Sequence, residues 1–303
     1  KERPLGFAAH MDQIEPCRNV NPVINGNIIS TDKTTTLGGD DKAGISAIME
    51  AVEDIIESGV PHRDIYLVFT CSEEISMMGT KHMDMSMLPC KELVVVDATG
   101  GAETLAYKAP AMEAIEITFK GKKAHAGIEP EKGINAIVVA SKAISKMHIG
   151  RIDYETTSNI GHIEGGSATN IVTDEVTFTA EIRSHSMEKL AAEVTHMEQC
   201  CKEAVEEMGA CYEMKHEMAY PVLSLEEDCE LIQDTVNAMA EERITANKMI
   251  IGGGSDANVL AGHGYKSVIL GCGMINVHTV EEALDTDETW KVTKVLRRLM
   301  GAE

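Results

Sequence analysis

The stretch Leu37-Gly38-Gly39-Asp40-Asp41-Lys42-Ala43-Gly44 sets two adjacent carboxylates in a glycine-rich turn at the head of an apolar-periodic segment. Glycine at 38 and 39 opens backbone angles closed to other residues and lets the chain run close to a ligand. From Ala43 to Ser58 the residues Ile45, Ile48, Met49, Val52, Ile55 and Ile56 fall at helical spacing, which predicts a helix beginning about Ala43. Asp40 and Asp41 then stand where the helix dipole favours negative charge, so both are expected to be ionised at neutral pH. Taken alone, the stretch is an N-cap with an acidic first turn. An ionised carboxylate on a rigid turn is equally a hard ligand for a divalent cation, and the rest of the chain decides between the two readings.

Towards the amino terminus, Leu5-Gly6-Phe7-Ala8-Ala9 is a short apolar run ending in His10-Met11-Asp12, a buried strand with polar side chains at its carboxyl end. A core strand beginning at residue 5 leads us to expect a preceding amino-terminal segment in the natural chain. Residues 13–36 are polar and turn-rich, with Asn25-Gly26 and a threonine run at 34–36, and suit a hairpin or loop. Towards the carboxyl terminus, residues 64–70 form a second apolar strand ending in Cys71-Ser72-Glu73-Glu74, and Leu93-Val94-Val95-Val96 a third ending in Asp97. Three apolar strands separated by helices describe an α/β sheet, and ligand sites in such sheets lie at the carboxyl ends of the strands.

Near residue 108 the texture changes. Residues 112–119 alternate as a half-buried strand, 132–147 form an amphipathic helix, and 156–164 and 173–183 are strands. A long helix follows over 187–208, then a strand from Ala210 to about His216. The order β-α-β-β-α-β is that of a ferredoxin-like module. After Tyr220-Pro221 the α/β texture resumes with a helix over 225–241, a glycine-rich turn at 252–254, a helix over 256–262, a strand over 267–271 and a closing helix over 287–300. The expected organisation is therefore a catalytic domain in two parts, 1–108 and 220–303, with residues 109–219 inserted.

Composition narrows the class of function. Hydrophobic residues make up 44% and charged residues 25% of 303 residues, as in a globular protein. Lys and Arg total 27 against 49 Asp and Glu, a formal net charge of −22. That sign disfavours nucleic acid and anionic membrane as partners and suits a protein that attracts cations. The sequence has no apolar run long enough to span a membrane. Its 8 cysteines are scattered without a C-x-x-C pair, which reads as reduced thiols in a cytoplasmic protein.

Collected, the strand-end residues are His10, Asp12, Asp40, Glu73, Glu74, Asp97 and His278. Imidazole nitrogen with carboxylate oxygen suits Zn²⁺, Mn²⁺ or Co²⁺, and is too rich in nitrogen for a calcium cage. The donors suffice for two ions, and one carboxylate such as Asp40 could bridge them. The pieces His10-x-Asp12, Gly39-Asp40-Asp41-Lys42-Ala43-Gly44, Ser72-Glu73-Glu74, Val96-Asp97 and Asn276-Val277-His278-Thr279, in this order, resemble the signature of the dinuclear zinc peptidases. That family includes peptidase T, carboxypeptidase G and succinyl-diaminopimelate desuccinylase, and the peptidase T-like branch is the most similar. The resemblance covers essentially the whole chain, apart from the family's amino-terminal segment before the His-x-Asp strand.

The resemblance implies a zinc-peptidase α/β catalytic domain with an inserted ferredoxin-like lid and dimerisation domain. It implies two divalent metal ions per subunit, zinc first and manganese or cobalt as alternatives. His10 and Asp97 would hold one ion, Glu74 and His278 the other, and Asp40 would bridge. Asp12 would sit behind His10 and fix its tautomer. Glu73 would be the general base, a carboxylate that takes a proton from water and passes it to the leaving amine. Asp41 is left over and is read as structural, in the helix cap. Gly121-Lys122-Lys123-Ala124-His125-Ala126-Gly127 resembles the lid segment whose histidine reaches the substrate carbonyl, which makes His125 a catalytic candidate. Asn170 and Arg183 resemble the residues that hold the substrate's terminal carboxylate, and Gly253 and Gly254 the glycine turn beside them.

The expected function is a metal-dependent exopeptidase on short peptides, of the tripeptide aminopeptidase kind, acting as a homodimer joined through the inserted domain. Within the same chemistry the alternative is an N-acyl amino acid deacylase or carboxypeptidase, since both reactions need an amide carbonyl at the metals and a carboxylate on Arg183. From a different class, the alternative is a non-catalytic relative that binds metal or peptide. Glu73 argues against that, because a binding protein needs no base.

Overall fold

The computed structural model describes residues 3–301. They form two compact units, one built from the segments up to Ala109 and from Leu223 onward, the other from Pro110–Val222.

At the centre of the first unit lie four parallel strands in the order Lys266–Ile275, Glu92–Thr99, Leu5–His10, Ile65–Thr70. Every residue of Leu5–His10 is buried, because both faces of the sheet are covered. Leu5, Phe7 and Ala9 pack into a core shared with the helices Gly39–Ser58 and Thr286–Met300, while Ala8, Leu93 and Val95 join Leu260 and Tyr265 in another. A strand buried on both sides shows no alternation, which is why its sequence reads as one apolar run. A hairpin, Pro22–Asn25 and Ile28–Thr31 turning at Gly26 with φ 63°, extends the sheet through Ala283–Asp285.

Three features depart from the sequence reading. Thr104–Ala109 is a strand that runs antiparallel to Lys266–Ile275 and carries Asn247–Ile250 and Leu223–Ser224 beside it. These short strands show no period of their own, and only partners far along the chain define them. Between Ile65–Thr70 and Glu92–Thr99 there is no full helix, only one turn at Met78–Lys81 and a 3-10 turn at Met85–Met87. The helix expected over 225–241 spans Glu230–Glu241, since Leu223–Ser224 is taken into the sheet.

The second unit is a five-stranded antiparallel sheet with the order Cys211–Tyr220, Ala111–Lys120, Glu175–Ser184, Thr156–Gly165, Gly150–Arg151. The first four make the ferredoxin-like order, backed by Ala136–Ile144 and Met187–Met208. Ala111–Lys120 alternates strictly between buried and half-buried residues, placing Ile115, Ile117 and Phe119 against the helices. The first helix is shorter than its apolar period predicts, because Asn135 caps it by accepting from Ile137 N and Val138 N, and Pro130–Lys132 before it is a separate 3-10 turn. Ser186 caps the longer helix and Gly209, with φ 69°, ends it. All eight cysteines are free thiols.

Candidate metal centre

The first unit brings seven sequence-singled residues, His10, Asp12, Asp40, Glu73, Glu74, Asp97 and His278, to one edge of its sheet. His10 ends Leu5–His10, Asp97 lies late in Glu92–Thr99, and Glu73 and Glu74 follow Ile65–Thr70. His278 follows Lys266–Ile275 in a bend where Asn276 (φ 51°) and His278 (φ 64°) both take left-handed backbone. Asp40 comes from the opening turn of Gly39–Ser58, where Gly38 has φ 76°. Asp40 and Asp41 have non-helical torsions, so regular helix starts after them.

Asp40 divides its carboxylate between the two histidines. Its Oδ1 lies 2.9 Å from His10 Nε2 and its Oδ2 lies 3.2 Å from His278 Nε2. On the outer flanks, Asp97 Oδ1 is 3.7 Å from His10 Nε2 and Glu74 Oε2 is 2.9 Å from His278 Nε2. Behind His10, Asp12 Oδ1 is 3.4 Å from Nδ1, a buried nitrogen that makes no well-aligned hydrogen bond. Asp12 also accepts from Glu73 N at 3.1 Å and Glu74 N at 3.2 Å, tying the histidine strand to the Glu73-Glu74 turn.

Asp41 points the other way. It is fully buried, and its oxygens accept from His10 N and Gly44 N, each at 3.2 Å. Donor atoms of His10, Asp41 and Asp97 do lie within 4.8 Å of one another, as do those of His10, Asp40 and Glu74. With both oxygens engaged by backbone N–H groups, Asp41 is the weaker donor and serves the helix start. The two neighbouring carboxyls are shifted in opposite directions. For Asp40, burial opposes ionisation, but the hydrogen bonds to His10 and His278 outweigh it and hold the carboxyl down to about 2. For Asp41, burial pushes the carboxyl well above its usual range.

The donor set fits a cation. Burial followed by the charges of Asp41 and Asp40 raises Asp97 well above the carboxylate range, and burial lifts Glu73 to about 8. Burial works against a charged His10, yet the Asp40 hydrogen bond and neighbouring carboxylates raise it to about 9, and Asp40 and Glu74 raise His278 to about 10. Crowded carboxylates stand here around two imidazoles, and among the described residues no Lys or Arg lines the cavity they face. Imidazole and carboxylate donors in this number suit divalent transition ions.

The cavity has a volume of about 460 Å³. It is lined by His10, Asp40, Glu73, Asp97 and His278, by Gly253 and Gly254, and by the apolar side chains of Met249, Ile250, Ile251 and Val277. Asp256, at the head of the helix that follows the glycine-rich turn, is an anchor. It is 2% exposed and accepts from the hydroxyls of Thr70 and Thr80, so one carboxylate holds both ends of the turn that carries Glu73 and Glu74. Its position after Ser255, which caps Asp256–Gly262, was the only available signal.

His125, Asn170 and Arg183 belong to the second unit. Ala126 N donates to Asn170 O and Val172 N to Ala124 O, each at 2.9 Å, so the two singled-out segments run side by side. His125 is exposed, and its Nδ1 accepts from Gly127 N at 3.2 Å, which leaves Nε2 as the protonated nitrogen of the neutral ring. Arg183 turns Nε and Nη2 to Glu181, each at 2.9 Å, a bidentate pair that fixes the plane of the guanidinium.

Comparison with known proteins places this chain. A family model described as the M20 peptidase dimerisation domain matches residues 112–209, and one described as M42 glutamyl aminopeptidase matches residues 13–121. The chain is 41% identical over 290 residues to the Bacillus subtilis protein called uncharacterized protein YqjE, covering 96% of this chain and 78% of that one. The aminopeptidase PepT structure from Bacillus cereus is 36% identical with a TM-score of 0.90, covering 98% of this chain and 80% of that one. The chain belongs to the peptidase T-like M20 family. A tripeptidase structure from Staphylococcus aureus, 35% identical with a TM-score of 0.94 and the same coverages, agrees. For an M20 peptidase the division into a catalytic α/β part and an inserted dimerisation domain follows, and the class of reaction is hydrolysis of a peptide. Among the described residues no helix is long and apolar enough to cross a membrane.

Proposed function

We propose that this chain is a two-metal exopeptidase that removes the first residue of short peptides, tripeptides above all. The observation that carries this is the divided carboxylate of Asp40, one oxygen at each histidine, with Asp97 and Glu74 completing the two flanks. His10 and Asp97 would hold one ion and Glu74 and His278 the other, with Asp40 shared and zinc the first choice. When bound, the ion pair supplies Lewis acidity to the amide and lowers the pKa of water.

The protein's own groups do the rest. Glu73 lines the cavity and is not among the donors that pair with the histidines. As the cavity carboxylate left outside those pairs, it would accept the proton of the attacking water and deliver it to the departing amine. Asp12 faces His10 Nδ1 and orients the ring so that Nε2 points to the ion side. Gly253 and Gly254 would leave backbone open to an extended substrate, and the apolar lining residues Met249, Ile250, Ile251 and Val277 favour an uncharged side chain. By the family resemblance, His125 donates from Nε2 to the developing oxyanion, and Asn170 and Arg183 receive the substrate carboxylate. In this reading Glu181 presets the Arg183 fork.

The aminopeptidase and tripeptidase descriptions of the two solved relatives favour an aminopeptidase over a deacylase. The dimerisation-domain match supports a homodimer joined through the inserted domain, and the free thiols agree with the cytoplasm. The test is turnover of di-, tri- and N-acyl substrates by protein loaded with zinc, with metal counted before and after. Release of the first residue from tripeptides, with acyl amino acids untouched, is expected. Cleavage of acyl amino acids alone would assign the deacylase reaction instead.

A further inference from the structure

Glu282 follows His278 in the same bend and belongs to none of the motifs above. It is 2% exposed, yet its carboxylate is fully employed. Oε2 accepts from Leu37 N at 2.7 Å and Gly38 N at 2.9 Å, and Oε1 accepts from Asp40 N at 2.9 Å. Three backbone donors of the aspartate turn, those of Gly38 and Asp40 in buried bonds and that of Leu37 in a half-buried one, thus converge on one side chain from the far end of the sequence. A carboxylate accepting backbone N–H groups makes charge-assisted bonds, and without it those donors would be orphaned.

The glycines of the turn make room for this contact. Gly38 takes φ 76°, and a Cβ on Gly39 would stand 3.2 Å from Glu282 Oε1. Glu282 is itself fixed, since its N–H donates to Thr279 O at 3.1 Å, the Thr279 hydroxyl donates to Asn276 O at 2.8 Å, and Lys33 pairs with Glu281 at 2.6 Å. One short segment therefore carries His278 at its start and grips the Asp40 turn at its end.

We infer that Glu282 is a positioning residue: it sets the backbone of the 37–40 turn so that Asp40 offers one oxygen to His10 and the other to His278. The inference rests on the metal-centre reading above and adds a residue to it. Its consequence is that the spacing between the two halves of the centre is set by Glu282, which touches neither histidine.

Glu282→Gln tests it, because glutamine keeps the volume but turns an amide N–H towards donors that need an acceptor. The probe is zinc chloride alone, titrated against a chromophoric chelator well below the melting temperature. Zinc affinity is expected to fall roughly 10–100-fold, the scale for groups that orient ligands. Gly39→Ala keeps the carboxylate and displaces it, and a smaller loss in the same direction is expected; if Glu282→Gln does not fold, Gly39→Ala decides. Val295→Ala, in the core face of Thr286–Met300, controls for stability and should melt lower with unchanged zinc affinity. Variants at 282 and 39 that melt lower but bind zinc as tightly as the unaltered chain would overturn the positioning role. Failure of the unaltered chain to take up zinc would instead remove the metal-centre reading, and this inference with it.

Discussion

Asp40 holds Oδ1 2.9 Å from His10 Nε2 with both side chains buried, and keeps its other oxygen turned away from that histidine. A carboxylate divided in this way belongs to both halves of the centre. Asp40→Ala should therefore lose nearly all bound metal, whereas His10→Ala, which touches one half, should retain about one equivalent. Metal analysis of the dialysed proteins decides, and a full equivalent kept by Asp40→Ala would sink the bridging role.

Glu73 lines the cavity but stands outside the histidine pairs, so the proposed function assigns it proton transfer and not metal holding. Glu73→Gln should bind two equivalents of metal and lose roughly 10²–10⁴-fold in kcat, the usual worth of a general base. A variant purified without metal would reverse the roles of Glu73 and Glu74.

Beyond the ionisable cluster, the described side chains lining the cavity are uncharged, and Met249, Ile250, Ile251 and Val277 are apolar. Leu-Gly-Gly should be turned over faster than Glu-Gly-Gly or Lys-Gly-Gly, by about 10–200-fold, the range for side-chain fit in an apolar pocket. Ile250→Glu should narrow the gap for the lysyl peptide. Equal kcat/KM on all three peptides would show that these apolar side chains do not meet the first residue.

The turn bearing Glu73 and Glu74 folds back on itself at Gly79, where a Cβ would stand 2.2 Å from Cys71 O and 2.9 Å from Cys71 N. Gly79→Ala must open the turn, and should cost about 1–3 kcal/mol of stability together with most of the turnover. Gly59, at φ 63° with no neighbour within 4 Å, is the control, and Gly59→Ala should lower the melting temperature while sparing activity. Thermal melts and kinetics on both variants check this, and a fully active Gly79→Ala would mean that the turn adapts.

Much of the framework was legible because its signals are local. The apolar runs 5–9 and 93–96, the alternation over 112–119 and the long period over 187–208 each state their own structure, and the order of elements in the insert matches the ferredoxin-like order of the sheet. Thr104–Ala109 and Asn247–Ile250 were not legible. They are strands only because they find each other in space and Thr104–Ala109 also pairs with Lys266–Ile275, and short segments carry too few residues to show a period.

The candidate site divides in the same way. Residue types and their order singled out His10, Asp12, Asp40, Glu73, Glu74, Asp97 and His278, since donors of this kind at the carboxyl ends of apolar strands are a chemical statement that a sequence can make. It could not separate the neighbours Asp40 and Asp41 by residue type, nor find Asp256 and Glu282. The tertiary structure decided these. Backbone torsions at 38–41 send one carboxylate to the histidines and the other under the helix, and those torsions are held by Glu282 from the opposite end of the chain. Side-chain direction follows from contacts between residues remote in sequence, so no local pattern around residue 40 records it.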